Sequence, residues 1–148
     1  MTDLYHSLIL EHNARPRFYE KRPEATHIVE AQNPICGDRF RLFLEVKNGV
    51  IAEATFHGYG CAVSKASTSV LVSALQGLPV GETSALIEYF LTETGLRAGD
   101  VLQSPPPVEL PERTAFSAAR HFPERIPCVT LAWEALEQYF QKTQIIRR

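Results

Sequence analysis

The pair Asn48-Gly49, flanked on both sides by runs in which apolar and polar residues alternate, is the feature that most restricts how this chain can fold. Asn-Gly accepts the positive φ angles of a two-residue hairpin turn, so Arg39 to Val46 and Val50 to Phe56 read as paired antiparallel strands. A further alternating run, Thr26 to Gln32, precedes them and predicts a third strand. After Cys61 the period changes. Ala62, Ala66, Val70 and Ala74, with Val63, Leu71 and Leu75 beside them, recur at helical spacing until Gly77 and Pro79 stop the pattern.

The remaining periodicity predicts helices around the strands. Leu4 to Leu10, with Leu4, Leu8 and Leu10 apolar, suits a short amphipathic helix that Arg15-Pro16-Arg17 ends. A second lies from about Glu82 to Thr92, with Leu86, Ile87, Phe90 and Leu91 inward. Pro105, Pro106, Pro107, Pro111 and Pro123 make residues 95–127 mostly loop, with one helical turn near Thr114 to Ala119. The last helix runs from about Cys128 or Val129 to Gln141, with Trp133 anchoring its start. Strands first and helices afterwards is the pattern of an α+β fold, a three-stranded antiparallel sheet with helices packed on one face. The chain has 148 residues, 45% of them hydrophobic, which suits one core and one domain over residues 1–148.

A formal net charge of −2 and only short basic runs give no footprint for nucleic acid. The N-terminus carries Asp3, His6, Glu11 and His12 where a signal peptide needs an apolar core, and no stretch of roughly 18 apolar residues occurs, so a cytoplasmic protein away from the membrane is expected. Three cysteines are an odd number. In a reducing cytosol they remain thiols, for metal binding, sulfur chemistry or burial as small hydrophobes.

The settings of the cysteines separate these uses. In Asn33-Pro34-Ile35-Cys36-Gly37-Asp38, Pro34 and Gly37 form a tight turn, and a thiol and a carboxylate two residues apart can reach one metal. The alternative is that Asp38 caps the turn and Cys36 fills a gap. In Gly58-Tyr59-Gly60-Cys61-Ala62-Val63-Ser64-Lys65-Ala66-Ser67 the glycines let backbone approach whatever Cys61 binds. The following helix turns its first amides toward that sulfur, which favours thiolate. Cys128 is expected to stand at the start of its own helix in the same way.

These residues resemble the U-type iron–sulfur assembly proteins, the family of IscU, the N-terminal part of NifU, and SufU. The likeness rests on Asn-Pro-x-Cys-Gly-Asp at 33–38, Gly-x-Gly-Cys-Ala-x-Ser-x-Ala-Ser at 58–67, and Arg-x-x-Cys followed by Leu-Ala-Trp at 125–133. It implies a SufE/NifU-like fold and a single site at which Cys36, Asp38, Cys61 and Cys128 meet. IscU-like members carry a histidine directly before the last cysteine; Pro127 stands there in this chain. Cys61 and Cys128 are separated by 66 residues, a longer gap than in IscU. Both features resemble the SufU branch, which implies a zinc ion on three cysteines and an aspartate, and sulfurtransferase action. In that role the chain takes persulfide sulfur from a SufS-like cysteine desulfurase for downstream iron–sulfur assembly proteins. Pro106-Pro107-Val108 is similar to a chaperone-recognition stretch of IscU, but Glu109 replaces its lysine and the match is read as chance.

By the same resemblance Cys36 is the sulfur acceptor. Zinc favours four tetrahedral sulfur, nitrogen or oxygen ligands, and one aspartate among three thiolates is the most exchangeable of them. The same donor set can hold a [2Fe–2S] cluster, so a scaffold on which a cluster is assembled and transferred is the alternative, and a purely structural zinc domain is a third. Arg125 is a candidate partner for Asp38, against a solvated surface arginine. Lys65 reads as solvated, and His57 as a core residue or one behind the ligands.

Overall fold

The computed structural model describes residues 7–33, 37–97, 108, 110 and 113–143. The elements run α1 (Ser7–Ala14), β1 (His27–Asn33), β2 (Asp38–Lys47), β3 (Val50–Tyr59), α2 (Ala62–Leu75), α3 (Thr83–Glu93), α4 (Arg113–Phe116) and α5 (Ile126–Thr143), with short 3₁₀ turns at Val80–Glu82, Ser117–His121 and Pro123–Arg125. The three strands form one antiparallel sheet in the order β1-β2-β3. Asn48 and Gly49 have φ of 54° and 76°, and Lys47 pairs with Val50 across them, the primed hairpin geometry that Asn-Gly favours.

Strand alternation sends Val29, Ala31, Phe40, Leu42, Leu44, Ala54 and Phe56 to one face of the sheet, where all are buried. Helix α2 packs on that face against β3 and is enclosed by α1 and α5. Being surrounded, it buries polar as well as apolar residues, and each polar one on its inner side is bonded. The Thr68 hydroxyl donates to Ser64 O at 2.8 Å, and the Ser67 hydroxyl donates to Val129 O at 2.6 Å while accepting from Trp133 Nε1 at 2.8 Å. Trp133 is fully buried and stacks on Phe90 with ring centroids 3.8 Å apart. A side chain of that size contributes about 1.5–3 kcal/mol through burial alone.

The free edge of β3 is closed at both ends. Phe56 N–H donates to Phe18 O and Glu20 N–H to Phe56 O, while Ile51 N–H donates to Leu78 O and Val80 N–H to Gly49 O. Such covering removes the unpaired edge that would template association.

Three expectations need adjustment. Helix α1 spans Ser7–Ala14 rather than Leu4 to Leu10; residues 1–6 lie outside the described residues, and Arg15-Pro16-Arg17 follows the helix end as expected. Its buried face is Ile9 and His12, with Leu8 and Leu10 exposed, because His12 Nδ1 bonds the Ser69 hydroxyl at 2.8 Å and orients the helix on α2. Helix α5 starts at Ile126, so Cys128 stands inside its first turn; Pro127 is tolerated there because first-turn amides have no intrahelical acceptor. Within residues 95–127 the expected helical turn is present as α4 and the 3₁₀ turn after it, whereas Pro105, Pro106, Pro107 and Glu109 lie outside the described residues.

Candidate metal centre

Three ligand-bearing residues converge where the sheet meets α2 and α5. Asp38 opens β2, Cys61 follows β3, and Cys128 sits in the first turn of α5. One donor atom from each, a carboxylate oxygen and the two sulfurs, lies within 4.8 Å of the others. Tetrahedral zinc with Zn–S near ~2.3 Å spaces its sulfurs about 3.7 Å apart, so the three donors need close by only about an ångström to bind one ion.

Local structure fixes each donor. Cys61 is the N-cap of α2, with its sulfur 3.4 Å from the donating Ser64 N–H and 3.6 Å from the Ser64 hydroxyl. Gly60 permits this turn, since a Cβ there would lie 2.4 Å from Ser64 Oγ and 2.6 Å from the Phe40 ring. Gly58 has φ of 151°, and a Cβ on it would meet Arg39 O at 2.1 Å. Asp38 is buried. Its Oδ1 accepts the Cys61 N–H at 3.2 Å, and its Oδ2 has no hydrogen-bond partner among the described residues. A carboxyl oxygen buried without a donor beside two thiols is an expensive arrangement for a bare side chain and an apt one for a metal ligand. The donor set therefore fits zinc or another thiophilic ion.

The two thiols share their charge unequally. Cys61 is held well below the ordinary thiol range, first by a hydrogen bond from the Cys128 thiol and then by the Ser64 N–H and hydroxyl, against the opposing effects of burial and of Asp38. Cys128 is pushed up by that same bond, by burial and by the Cys61 charge, with a hydrogen bond from Arg125 acting the other way. The pair releases one proton readily, and the resulting thiolate sits on Cys61 at the N-terminus of α2.

Of the residues singled out from sequence, Asp38, Cys61 and Cys128 are together, and Cys36 lies outside the described residues. Gly37 beside it has φ of 79° and donates its N–H to Asn33 O at 2.8 Å, while Asn33 and Asp38 pair across the strands, which are features of a tight turn. Arg125 bonds the Cys128 thiol. Lys65 lies 5.0 Å above the Tyr19 ring. His57, expected in the core or behind the ligands, is instead half-buried on the opposite face of the sheet, its ring 4.6 Å from that of Tyr19; alternation from the core-facing Phe56 requires this. Sequence reasoning missed Ser64 and Ser67. Their signal is a run of serines in an otherwise apolar helix.

A NifU-like N terminal domain model matches residues 4–101, about two thirds of the chain. The chain belongs to the NifU-like N-terminal family. Relatives in this family include the iron–sulfur cluster assembly scaffold protein IscU of Thermotoga maritima, 33% identical over 139 residues with 94% of each chain covered. The zinc-dependent sulfurtransferase SufU of Bacillus subtilis is 30% identical over 144 residues, covering 95% of this chain and 92% of its own. Among solved structures, the SUF-system protein FiSufU of Fervidobacterium islandicum superposes with a TM-score of 0.78 at 25% identity, over 90% of this chain and 94% of that one. The NifU-like N-terminal protein of Brucella abortus shares the fold, with a TM-score of 0.75 at 18% identity, over 97% of this chain and 94% of that one. The family is that of the IscU and SufU iron–sulfur assembly proteins, and its model includes Cys36, Asp38 and Cys61 but ends before Cys128.

Proposed function

We propose that this chain is a zinc-binding sulfur acceptor in iron–sulfur cluster assembly, and the observation that carries this reading is the buried Asp38 Oδ2, without a hydrogen-bond partner among the described residues, beside the Cys61 and Cys128 sulfurs. Asp38, Cys61 and Cys128 would hold the ion, with Cys36 as the fourth ligand. Bound zinc would keep its thiolates deprotonated at neutral pH and exchangeable. The likeness to B. subtilis SufU and the presence of Pro127 in place of a histidine support zinc over a cluster.

The chemistry assigned to the chain's own residues is a thiol exchange. The Cys36 thiolate attacks the outer sulfur of a persulfide on a cysteine desulfurase of the SufS type. The S–S bond of the donor breaks, the donor cysteine leaves as thiolate, and Cys36 carries the persulfide with its proton, so no net oxidation or reduction occurs. Arg125, bonded to Cys128, holds a positive charge beside the thiols while Cys36 is engaged. Asp38 and the Ser64 donors keep Cys61 in place through the exchange. Downstream assembly proteins then receive the sulfur. Among the described residues no helix is long and apolar enough to cross a membrane, and a cytoplasmic site of action fits this role.

The second reading, a scaffold for a [2Fe–2S] cluster, is favoured by the 33% identity to T. maritima IscU. Elemental analysis of the purified protein with its absorption spectrum separates the two. About one zinc per chain without sulfide or a visible band supports the acceptor; iron with matching acid-labile sulfide supports the scaffold. Transfer of radiolabelled sulfur to wild type but not to Cys36→Ala tests the acceptor residue directly, and equal labelling would remove Cys36 from that role.

A further inference from the structure

The face of the sheet turned away from the helices carries a groove of about 300 Å³, whose polar walls are Lys21, Arg39, Arg41, His57 and Tyr59. Cross-strand pairing sets Arg39 beside Tyr59 and Arg41 beside His57, so two guanidinium groups and a phenol line up in adjacent rows. Tyr59 is 75% exposed, unusual for a tyrosine on a strand. Glu30 is paired with Arg41 at 3.3 Å, but both side chains are more than half exposed, and such a pair is easily exchanged. Neither Lys21 nor Arg39 has an acidic partner among the described residues. The pKa of His57 is lowered by partial burial and by the nearby charges of Lys21 and Lys65, of which Lys21 lines the groove. The whole chain carries a net charge of −2, so this local excess of positive charge runs against the overall balance.

The groove opens at the end of the sheet that bears the metal centre. Arg39 directly follows Asp38, and Tyr59 lies two residues before Cys61. A protein that engages this end of the sheet can therefore contact Arg39 and Tyr59 as well as the thiols. Exposed arginine and tyrosine beside unpaired cations make a surface suited to a carboxylate-rich partner, with the charges speeding encounter and fixing register.

We infer that this groove docks an acidic, carboxylate-bearing segment of the protein that delivers sulfur to the metal centre. The inference rests on the acceptor reading above and adds the chemistry of partner recognition to it. The test measures sulfur transfer from the cysteine desulfurase of the same cell to increasing concentrations of the full-length, zinc-loaded chain, at low and high salt, with zinc content measured alongside. The Arg39→Glu/Arg41→Glu variant should keep its zinc and show a KM for the chain raised at least tenfold. Wild-type KM should rise with salt and the variant's should not. Arg39→Gln/Arg41→Gln should fall between the two, and it decides the matter should charge reversal unfold the protein. Wild-type transfer with an unchanged KM in both variants overturns the groove and leaves the acceptor reading standing. A wild-type chain that takes no sulfur overturns the acceptor reading itself, and this assignment of the donor with it. A salt-insensitive wild-type KM, or a groove that responds only to nucleic acid added as competitor, also rejects the acidic protein segment.

Discussion

Asp38 and Cys61, 23 residues apart in sequence, are joined by a hydrogen bond from the Cys61 N–H to Asp38 Oδ1 at 3.2 Å, and the second carboxylate oxygen is buried with no hydrogen-bond partner among the described residues. In the proposed metal site one side chain would thus both position Cys61 and serve as a ligand.

Asp38→Asn separates these tasks. The amide oxygen still accepts the Cys61 N–H, but the anionic ligand is gone. Zinc affinity, read by competition with a chromophoric chelator, should fall by a factor of about 10 or more, with the metal-free stability nearly unchanged. Asp38→Ala should lose the affinity and also about 1–3 kcal/mol of metal-free stability, since it leaves the Cys61 amide without its acceptor. Equal zinc affinity in wild type and Asp38→Asn would take Asp38 out of the metal site.

Ser67 ties the helix that follows Cys61 to the helix that contains Cys128, through Val129 O and Trp133 Nε1. Ser67→Ala leaves the buried Trp133 indole N–H without its acceptor and removes the hydroxyl's bond to Val129 O. Denaturant unfolding should show a loss of about 1–3 kcal/mol, and because the two sulfurs are no longer held in register, zinc should bind more weakly as well. A variant as stable as wild type would show that water or repacking replaces the serine.

Gly60→Ala places a methyl group 2.4 Å from Ser64 Oγ and against the Phe40 ring, so the turn bearing Cys61 must shift. A cost of about 1–3 kcal/mol is expected from overpacking. Gly58→Ala should be worse, because its added atom meets backbone rather than a side chain and its φ of 151° disfavours any Cβ. Thermal melts rank the two; a milder effect at Gly58 than at Gly60 would contradict the geometry.

His27 is half-buried with Nδ1 2.8 Å from the Tyr139 hydroxyl, and burial lowers its pKa from 6.5. A histidine held neutral in the fold has a folded pKa below its unfolded one, so the unfolded chain binds the proton first. Stability should therefore be unaffected well above 6.5 and decline as the pH falls through 6.5 toward the lowered folded value. His27→Phe keeps the ring contact with Tyr139 and should flatten that decline in chemical denaturation across the same pH window. An unaltered slope in the variant would assign the acid sensitivity elsewhere.

The sheet could be read from the chain because it depends on short-range signals, and the meeting of Asp38, Cys61 and Cys128 was expected from the family resemblance. Asn48-Gly49 dictates a turn by its own dihedral preferences, and the settings of the cysteines beside glycines or at a helix start mark them as candidates that the family motifs then join. The orientation of α1 could not be read this way. Leu8 and Leu10 are more apolar than His12, yet His12 is buried, because Ser69 on another helix satisfies its ring nitrogen. The partners of Ser67 were hidden for the same reason: the serines in an apolar helix hint at buried bonds, but both partners lie more than 60 residues away. His57 was misplaced because its closeness to Cys61 along the chain says nothing about which side of a strand it faces.

The placement of Cys128 in the final helix has a consequence for the order of events during synthesis. Asp38 and Cys61 leave the ribosome with the sheet and α2, and 67 further residues must follow before Cys128 is available. At about 5–20 residues per second this interval is roughly 3–13 s. During that time a nascent chain offers an incomplete set of donors, and it cannot retain an ion as firmly as the finished protein. In the proposed metal-binding role, firm capture of the ion would thus follow synthesis of the last helix, and a product truncated before Cys128 would lack one of the donors.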